Sequence, residues 1–170
     1  HLARDRFGEK PLYYGRVGDA LVFASELKAI KALPGFRGEV DREALAGCLR
    51  FGYVPAPRSI YVGISKLPAA SLLSIPCGSP SLPRPQAYWS AVGAALGARG
   101  APFEGSSADA ATALDSLLRD AVGCRMEADV PLGSMLSGGI DSSTVVALMQ
   151  AQRSDRVRTF SIGSTEPGYD

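Results

Sequence analysis

Apolar residues in the first third of the chain sit in short β-favouring runs, whereas those of the last third recur at helical spacing. Pro11-Leu12-Tyr13-Tyr14 and Ala20-Leu21-Val22-Phe23-Ala24 are separated by Gly15-Arg16-Val17-Gly18-Asp19, which predicts a hairpin with a glycine-containing loop. Ser25 is placed to cap a short helix over 26–30 that stops before Pro34-Gly35. Asp41 is placed to cap a second helix, with Leu45, Cys48 and Leu49 on one face and Gly52 just past its end. Val54-Pro55-Ala56-Pro57-Arg58 reads as extended, and a strand is expected over 71–75. Residues 76–105 change character, with prolines at 76, 80, 83, 85 and 102 among scattered glycines, and predict an inter-domain connector. Tyr88-Trp89 is the expected point where that connector pins to a domain surface.

Beyond it, Ser106 or Ser107 caps a long helix to about Met126, on which Leu114, Leu117, Leu118, Ala121, Val122 and Arg125 share a spacing. A short buried strand over 132–136, a glycine turn, a helix over 142–153 and a strand over 157–163 follow. Val145, Leu148 and Met149 form that helix's buried side. The order helix, strand, turn, helix, strand is the opening of a doubly wound parallel α/β sheet.

Composition narrows the class. Of the 170 residues 46% are hydrophobic and 21% charged, ordinary for a soluble globular protein of one domain or two small ones. A net charge of +1 gives no general attraction to nucleic acid or acidic membranes. No apolar run approaches the roughly 18 residues of a membrane span, and no charged-then-apolar signal segment opens the chain. Cys48, Cys77 and Cys124 are odd in number and widely spaced, which fits neither a disulfide framework nor a zinc site. They are expected to be reduced and at least partly buried, in a cytoplasmic protein. The chain opens on His1 and closes on Asp170 without a terminal element, so both ends read as cut.

The candidate chemistry lies in the glycine turn, Ser137-Gly138-Gly139-Ile140-Asp141-Ser142-Ser143. Two residues without Cβ let the backbone curl close to an anion, and the N–H groups at the following helix start point at it. Ser137, Ser142 and Ser143 add hydroxyls. A carboxylate beside a phosphate is repelled unless a cation lies between them, so Asp141 reads as a Mg²⁺ ligand. A Walker loop is excluded by the missing lysine, and a dinucleotide fingerprint by the spacing of Gly133, Gly138 and Gly139. The plainer reading is a serine-capped helix start with Asp141 favoured by the helix dipole.

These residues closely resemble the pyrophosphate loop, Ser-Gly-Gly-x-Asp-Ser, of the ATP pyrophosphatase superfamily, whose members cleave ATP between its α- and β-phosphates. The flanks resemble glutamine-hydrolysing asparagine synthetase. The resemblance runs through Ala128-Asp129-Val130-Pro131-Leu132-Gly133 before the loop. It is carried equally by Arg4-Asp5-Arg6-Phe7-Gly8-Glu9-Lys10-Pro11-Leu12-Tyr13-Tyr14 and Phe23-Ala24-Ser25-Glu26-Leu27-Lys28. Gly52-Tyr53-Val54-Pro55-Ala56-Pro57 and Lys66-Leu67-Pro68 belong to the same pattern.

The resemblance implies α/β architecture throughout. Residues 1–75 are implied to close an αββα glutaminase domain with an N-terminal cysteine nucleophile, 76–105 to connect, and 106–170 to open the ATP-binding synthetase domain. Ser137, Gly138, Gly139, Asp141, Ser142 and Ser143 are implied to hold pyrophosphate and its Mg²⁺. Met135 and Leu136 are implied to line the adenosine pocket and Ile162, on the second strand, to touch adenine or serve as sheet core. ATP and Mg²⁺ are the implied cofactors, with glutamine and aspartate as substrates; the resemblance leaves room for a homodimer.

The nucleophile and the glutamine-binding residues are implied upstream of His1, and the second acidic Mg²⁺ site and the aspartate pocket beyond Asp170. Cys48 and Cys77 are internal and read as non-catalytic, because a nucleophile using its own α-amino group must be the first residue. This stretch by itself is therefore expected to be inactive, and His1 to have no partner. Two alternatives stay open: an amidotransferase acting on another carboxylate, in exopolysaccharide, capsule or antibiotic pathways, and a non-catalytic nucleotide-binding remnant.

Overall fold

The computed structural model describes residues 1–163 of a mixed α/β chain with two compact units, His1–Ala101 and Pro102–Asp170. Among the described residues no helix is long and apolar enough to cross a membrane.

The first unit carries β1 (Leu2–Arg4), β2 (Tyr13–Val17), β3 (Ala20–Ala24), α1 (Leu27–Lys31), α2 (Arg42–Phe51), β4 (Ile64–Lys66), β5 (Ser71–Leu73), β6 (Gln86–Ala87) and α3 (Ala91–Arg99). Two antiparallel sheets form, in the orders β3-β2-β4 and β1-β5-β6. Side chains alternate across a strand, so β2 serves two cores at once. Tyr14 packs with Leu67 and Leu73, both fully buried, while Tyr13 and Val17 pack against the cluster of Val22, Ile30 and Ile64. One face of β2 thus meets the β5 side and the other meets α1.

The hairpin forms, but β2 runs to Val17 and the loop shrinks to Gly18-Asp19, with Gly18 at φ +58°. Gly15 is therefore a strand residue. A Cβ there would lie 2.3 Å from the Gly63 carbonyl oxygen and 2.6 Å from Ile64 Cδ1, so β4 approaches because nothing protrudes. Ser25 does not cap α1: Glu26 takes that place with no side-chain hydrogen bond. The strand expected over 71–75 ends at Leu73. Within 76–105, β6 pairs with β5, and Ser90 caps α3 by accepting the Gly93 N–H. Tyr88 donates its hydroxyl to the Arg4 carbonyl at 2.8 Å, and Trp89 meets Phe7 edge-on at 5.2 Å. His1 has a partner after all, Ser74 Oγ at 2.7 Å.

Helix α2 is bounded as its sequence predicts. Asp41 accepts the N–H groups of Glu43 and Ala44, and Gly52 ends the helix at φ +77°. Its buried face differs from the expected one. Ala44 is sealed, whereas Leu45 and Leu49 face outward, because the small residues Ala44 and Gly47 allow closer approach. Arg58 pairs with Asp41 at 3.0 Å and with Glu43, tying the proline segment to the start of α2.

Arg4 organises the loop before β2. Its guanidinium donates to the carbonyls of Lys10 at 2.9 Å, Leu67 at 2.6 Å and Gly8 at 2.7 Å. The neighbouring Asp5 carboxylate accepts the N–H groups of Phe7 and Glu9.

The second unit carries α4 (Ser107–Cys124), β7 (Gly133–Met135), α5 (Ile140–Ala151) and β8 (Arg158–Phe160), with β7 and β8 paired in parallel. Ser106 caps α4 in a reciprocal box with Asp109. The Ser106 hydroxyl, then its N–H, holds the Asp109 carboxyl below the ordinary range. Leu114 and Leu117 are exposed while Leu118 and Val122 are half-buried, so the described residues cover only part of the apolar stripe of α4. Strand β7 is likewise exposed rather than buried. Cys77 and Cys124 are exposed and only Cys48 is half-buried, correcting the expectation for those two; all three are free.

Replacing Gly15 with Ala is expected to destabilise the first unit by about 1–3 kcal/mol, through forced repacking against β4. Gly97→Ala in α3, where a Cβ meets nothing within 4 Å, is expected to stabilise by about 0.5–1 kcal/mol. Urea unfolding of both variants checks the opposite signs. The Ala44 N–H above all, with Arg58 and the Glu43 N–H, holds the Asp41 carboxyl below its ordinary 3.8. A depressed folded-state value means that the cap's contribution is present above 3.8 and is lost as pH falls through the lower folded value. The Glu43 and Ala44 amide shifts should therefore titrate below pH 3.8 and stay flat in Asp41→Asn.

Candidate functional site

The loop lies between the C-terminal end of β7 and the start of α5. The parallel register sets Met135 opposite Phe160, and the Leu136 N–H donates to the Phe160 carbonyl at 2.8 Å, one step past β7. Gly133 makes room for this pairing, since a Cβ there would lie 2.5 Å from Phe160 Cε2. The return from α5 to β8 is held by Gln150. Its amide donates to the carbonyls of Arg153 and Asp155 and accepts the Val157 N–H at 3.0 Å.

Gly138 sits at φ +78°, a conformation that favours glycine and turns the chain sharply. Gly139 then takes the extended N-cap conformation, and α5 starts at Ile140, two residues earlier than periodicity predicts. No side chain caps α5. The N–H groups of its first turn, at Ile140, Asp141 and Ser142, therefore have no partner inside the helix, and the dipole places positive potential there. Ser137, Gly138, Gly139, Ile140 and Asp141 are all exposed.

Ser142 folds the loop onto the helix. Its Oγ accepts the Ser137 N–H at 3.3 Å, meets Ser137 Oγ at 3.0 Å and donates to the Gly139 carbonyl at 3.1 Å. Ser143 lies in the first turn, its N–H bonded to the Gly139 carbonyl at 3.1 Å. Asp141 stands in the same turn. Among the described residues no three His, Cys, Asp or Glu side chains gather, and Asp141 is the one acidic side chain of the loop.

The structure brings residues 135–143 together as one surface, with Met135 exposed and Leu136 half-buried at its strand edge. It does not place Ile162 on a strand: β8 ends at Phe160, and Ile162 is 89% exposed among the described residues. Two residues gain a structural part here that the sequence does not announce: Gly133, which makes room for Phe160, and Ser161, whose Oγ donates to the Leu136 carbonyl at 2.6 Å. A hydroxyl directly after a strand's last apolar residue was the available signal.

Comparison with known proteins agrees across the whole chain. The glutamine amidotransferase domain model matches residues 1–89, and the asparagine synthase model matches residues 113–170. A Methanocaldococcus jannaschii protein provisionally named glutamine-hydrolysing asparagine synthetase 2 is 36% identical over 174 residues, 99% of this chain and 32% of the relative. Glutamine-hydrolysing asparagine synthetase 1 of Bacillus subtilis is 33% identical over 168 residues, 98% of this chain and 25% of its own length. Asparagine synthetase 3 of the same organism is 33% identical over 147 residues, covering 86% of this chain and 22% of that protein. The chain thus spans between about a fifth and a third of the length of these relatives. With both models matched in this order along one chain, it belongs to the glutamine-hydrolysing asparagine synthetase family.

Proposed function

We propose that the chain is the junction stretch of an ATP-dependent, glutamine-hydrolysing asparagine synthetase, in which residues 137–143 hold the phosphates released as pyrophosphate. One observation carries this reading: the uncapped start of α5 offers open N–H groups directly after a Gly138-Gly139 turn whose two residues carry no Cβ. In the same reading residues 1–75 close an αββα glutaminase domain, and β2, with cores on both its faces, supports that layering. Residues 76–105 connect, and 106–170 open a doubly wound parallel domain, for which the β7–α5–β8 unit is the support.

The residues fit a polyphosphate. Gly138 and Gly139 leave the anion free to approach the backbone, and Ser137 and Ser143 stand with exposed hydroxyls at the edge. Asp141 would hold Mg²⁺ together with phosphate oxygens and water, as that ion prefers. Met135, Leu136 and the exposed Ile162 offer apolar surface for adenosine. ATP supplies the adenylyl group that activates the acceptor carboxylate, with pyrophosphate as the leaving group. What the chain contributes is fixed dipoles: charge gathering on the departing oxygens meets N–H groups already oriented by the helix. Aspartate is the acceptor favoured here, because the relatives just described carry asparagine synthetase in their names.

Calorimetric titration of Mg²⁺-pyrophosphate into the protein encoded by the whole reading frame should show binding. Gly138→Val should weaken it at least about tenfold, since a β-branched residue does not tolerate positive φ. Asp141→Asn should remove most of the Mg²⁺ dependence. Absence of binding by the unaltered protein overturns the reading, and pyrophosphate release driven by a carboxylate other than aspartate reassigns the acceptor.

A further inference from the structure

The peptide group joining Leu136 to Ser137 is held on both sides by side-chain hydroxyls. Its carbonyl accepts from Ser161 Oγ at 2.6 Å, and its N–H donates to Ser142 Oγ at 3.3 Å. The parallel register explains why this is unusual. Because the Leu136 N–H bonds to the Phe160 carbonyl, a regular ladder would next bring the Ile162 N–H to the Leu136 carbonyl. Ser161 supplies that bond from its side chain instead, and Ile162 leaves the strand, 89% exposed. The strand can therefore stop at Phe160 without leaving the Leu136 carbonyl unpaired.

The direction of this peptide plane matters because the next residues are the glycine turn. Gly138 and Gly139 have no side chains to restrict them, so the orientation of their N–H groups depends on what enters the turn and what leaves it. Helix α5 fixes the exit, with Ser142 reaching back to Ser137. The entry is fixed from β8 by Ser161.

We infer that Ser161 is a positioning residue for the phosphate loop: with Ser142 it clamps the Leu136–Ser137 peptide and so preorganises the N–H groups that receive pyrophosphate. The inference rests on the ATP-pyrophosphatase reading above. It adds a residue just past the second strand that touches no ligand itself and acts through a backbone carbonyl. A preorganised site spares the ligand the cost of ordering the loop, so losing the clamp lowers affinity rather than altering the chemistry.

The test compares Ser161→Ala with Ser161→Thr in the protein encoded by the whole reading frame. Ser161→Ala should weaken Mg²⁺-pyrophosphate binding and raise the KM for ATP by about tenfold, the size of one lost hydrogen bond, with the KM for aspartate unchanged. Amide hydrogen exchange at Leu136 and Ser137, whose N–H groups are bonded, should speed up in the same variant. Ser161→Thr keeps the hydroxyl and should restore both readouts to within about twofold. A merely structural role would move the KM values for ATP and aspartate together, or lower the melting temperature equally in both variants; either result overturns the inference. Wild-type affinity and exchange in Ser161→Ala also overturn it while leaving the phosphate-loop reading standing. An unaltered protein that binds no pyrophosphate overturns that reading itself.

Discussion

Very short strands leave many peptide groups without a ladder partner, and this chain depends on side chains that supply the missing bonds. Its strands are two to five residues long. A buried peptide group without a partner costs as much as a lost hydrogen bond, so each strand end creates a demand. In the first unit Arg4 answers it at Leu67, directly after β4, and also gathers the loop carbonyls of Gly8 and Lys10. In the second, Gln150 serves the turn into β8, while Ser142 and Ser161 serve the turn out of β7. Where polar side chains do the work of a ladder, the backbone can change direction quickly and remain ordered.

The two units use burial differently. The first has sealed centres, with Leu67 and Leu73 at 0% exposure, built around a strand that serves two faces. The described part of the second seals only Leu148 and Met149, both toward the far end of α5. Among the described residues α5 is held by apolar contacts near its C-terminus, while the N–H groups of its first turn stay open.

Local signals in the sequence located the caps of α2 and α4, but not those of α1 and α5, where no side chain caps the helix. Asp41 and Gly52 bracket α2, and Ser106 with Asp109 starts α4, because caps depend on residues three or four apart. The loop itself was legible for the same reason: two glycines, an acid and three serines act within seven positions. What stayed hidden was tertiary. Leu45 and Leu49 are the more hydrophobic residues of α2, yet the closer approach available to Ala44 and Gly47 turns the helix the other way. Gly15 looked like a turn residue because the carbonyl that needs its empty space comes from Gly63, far along the chain. Ile162 reads as a strand residue from its apolar run, whereas the Ser161 hydroxyl supplies the bond that a regular ladder would take from the Ile162 N–H.

Gly133 and Phe160 occupy opposed strands, and the aromatic ring lies where a Cβ at 133 would be. The ring is exposed and can swing aside, but the Arg158 carbonyl, 3.2 Å from the same point, belongs to the paired backbone. A side chain at 133 therefore presses on the register that sets the loop's entrance, and position 160 is the less constrained of the two.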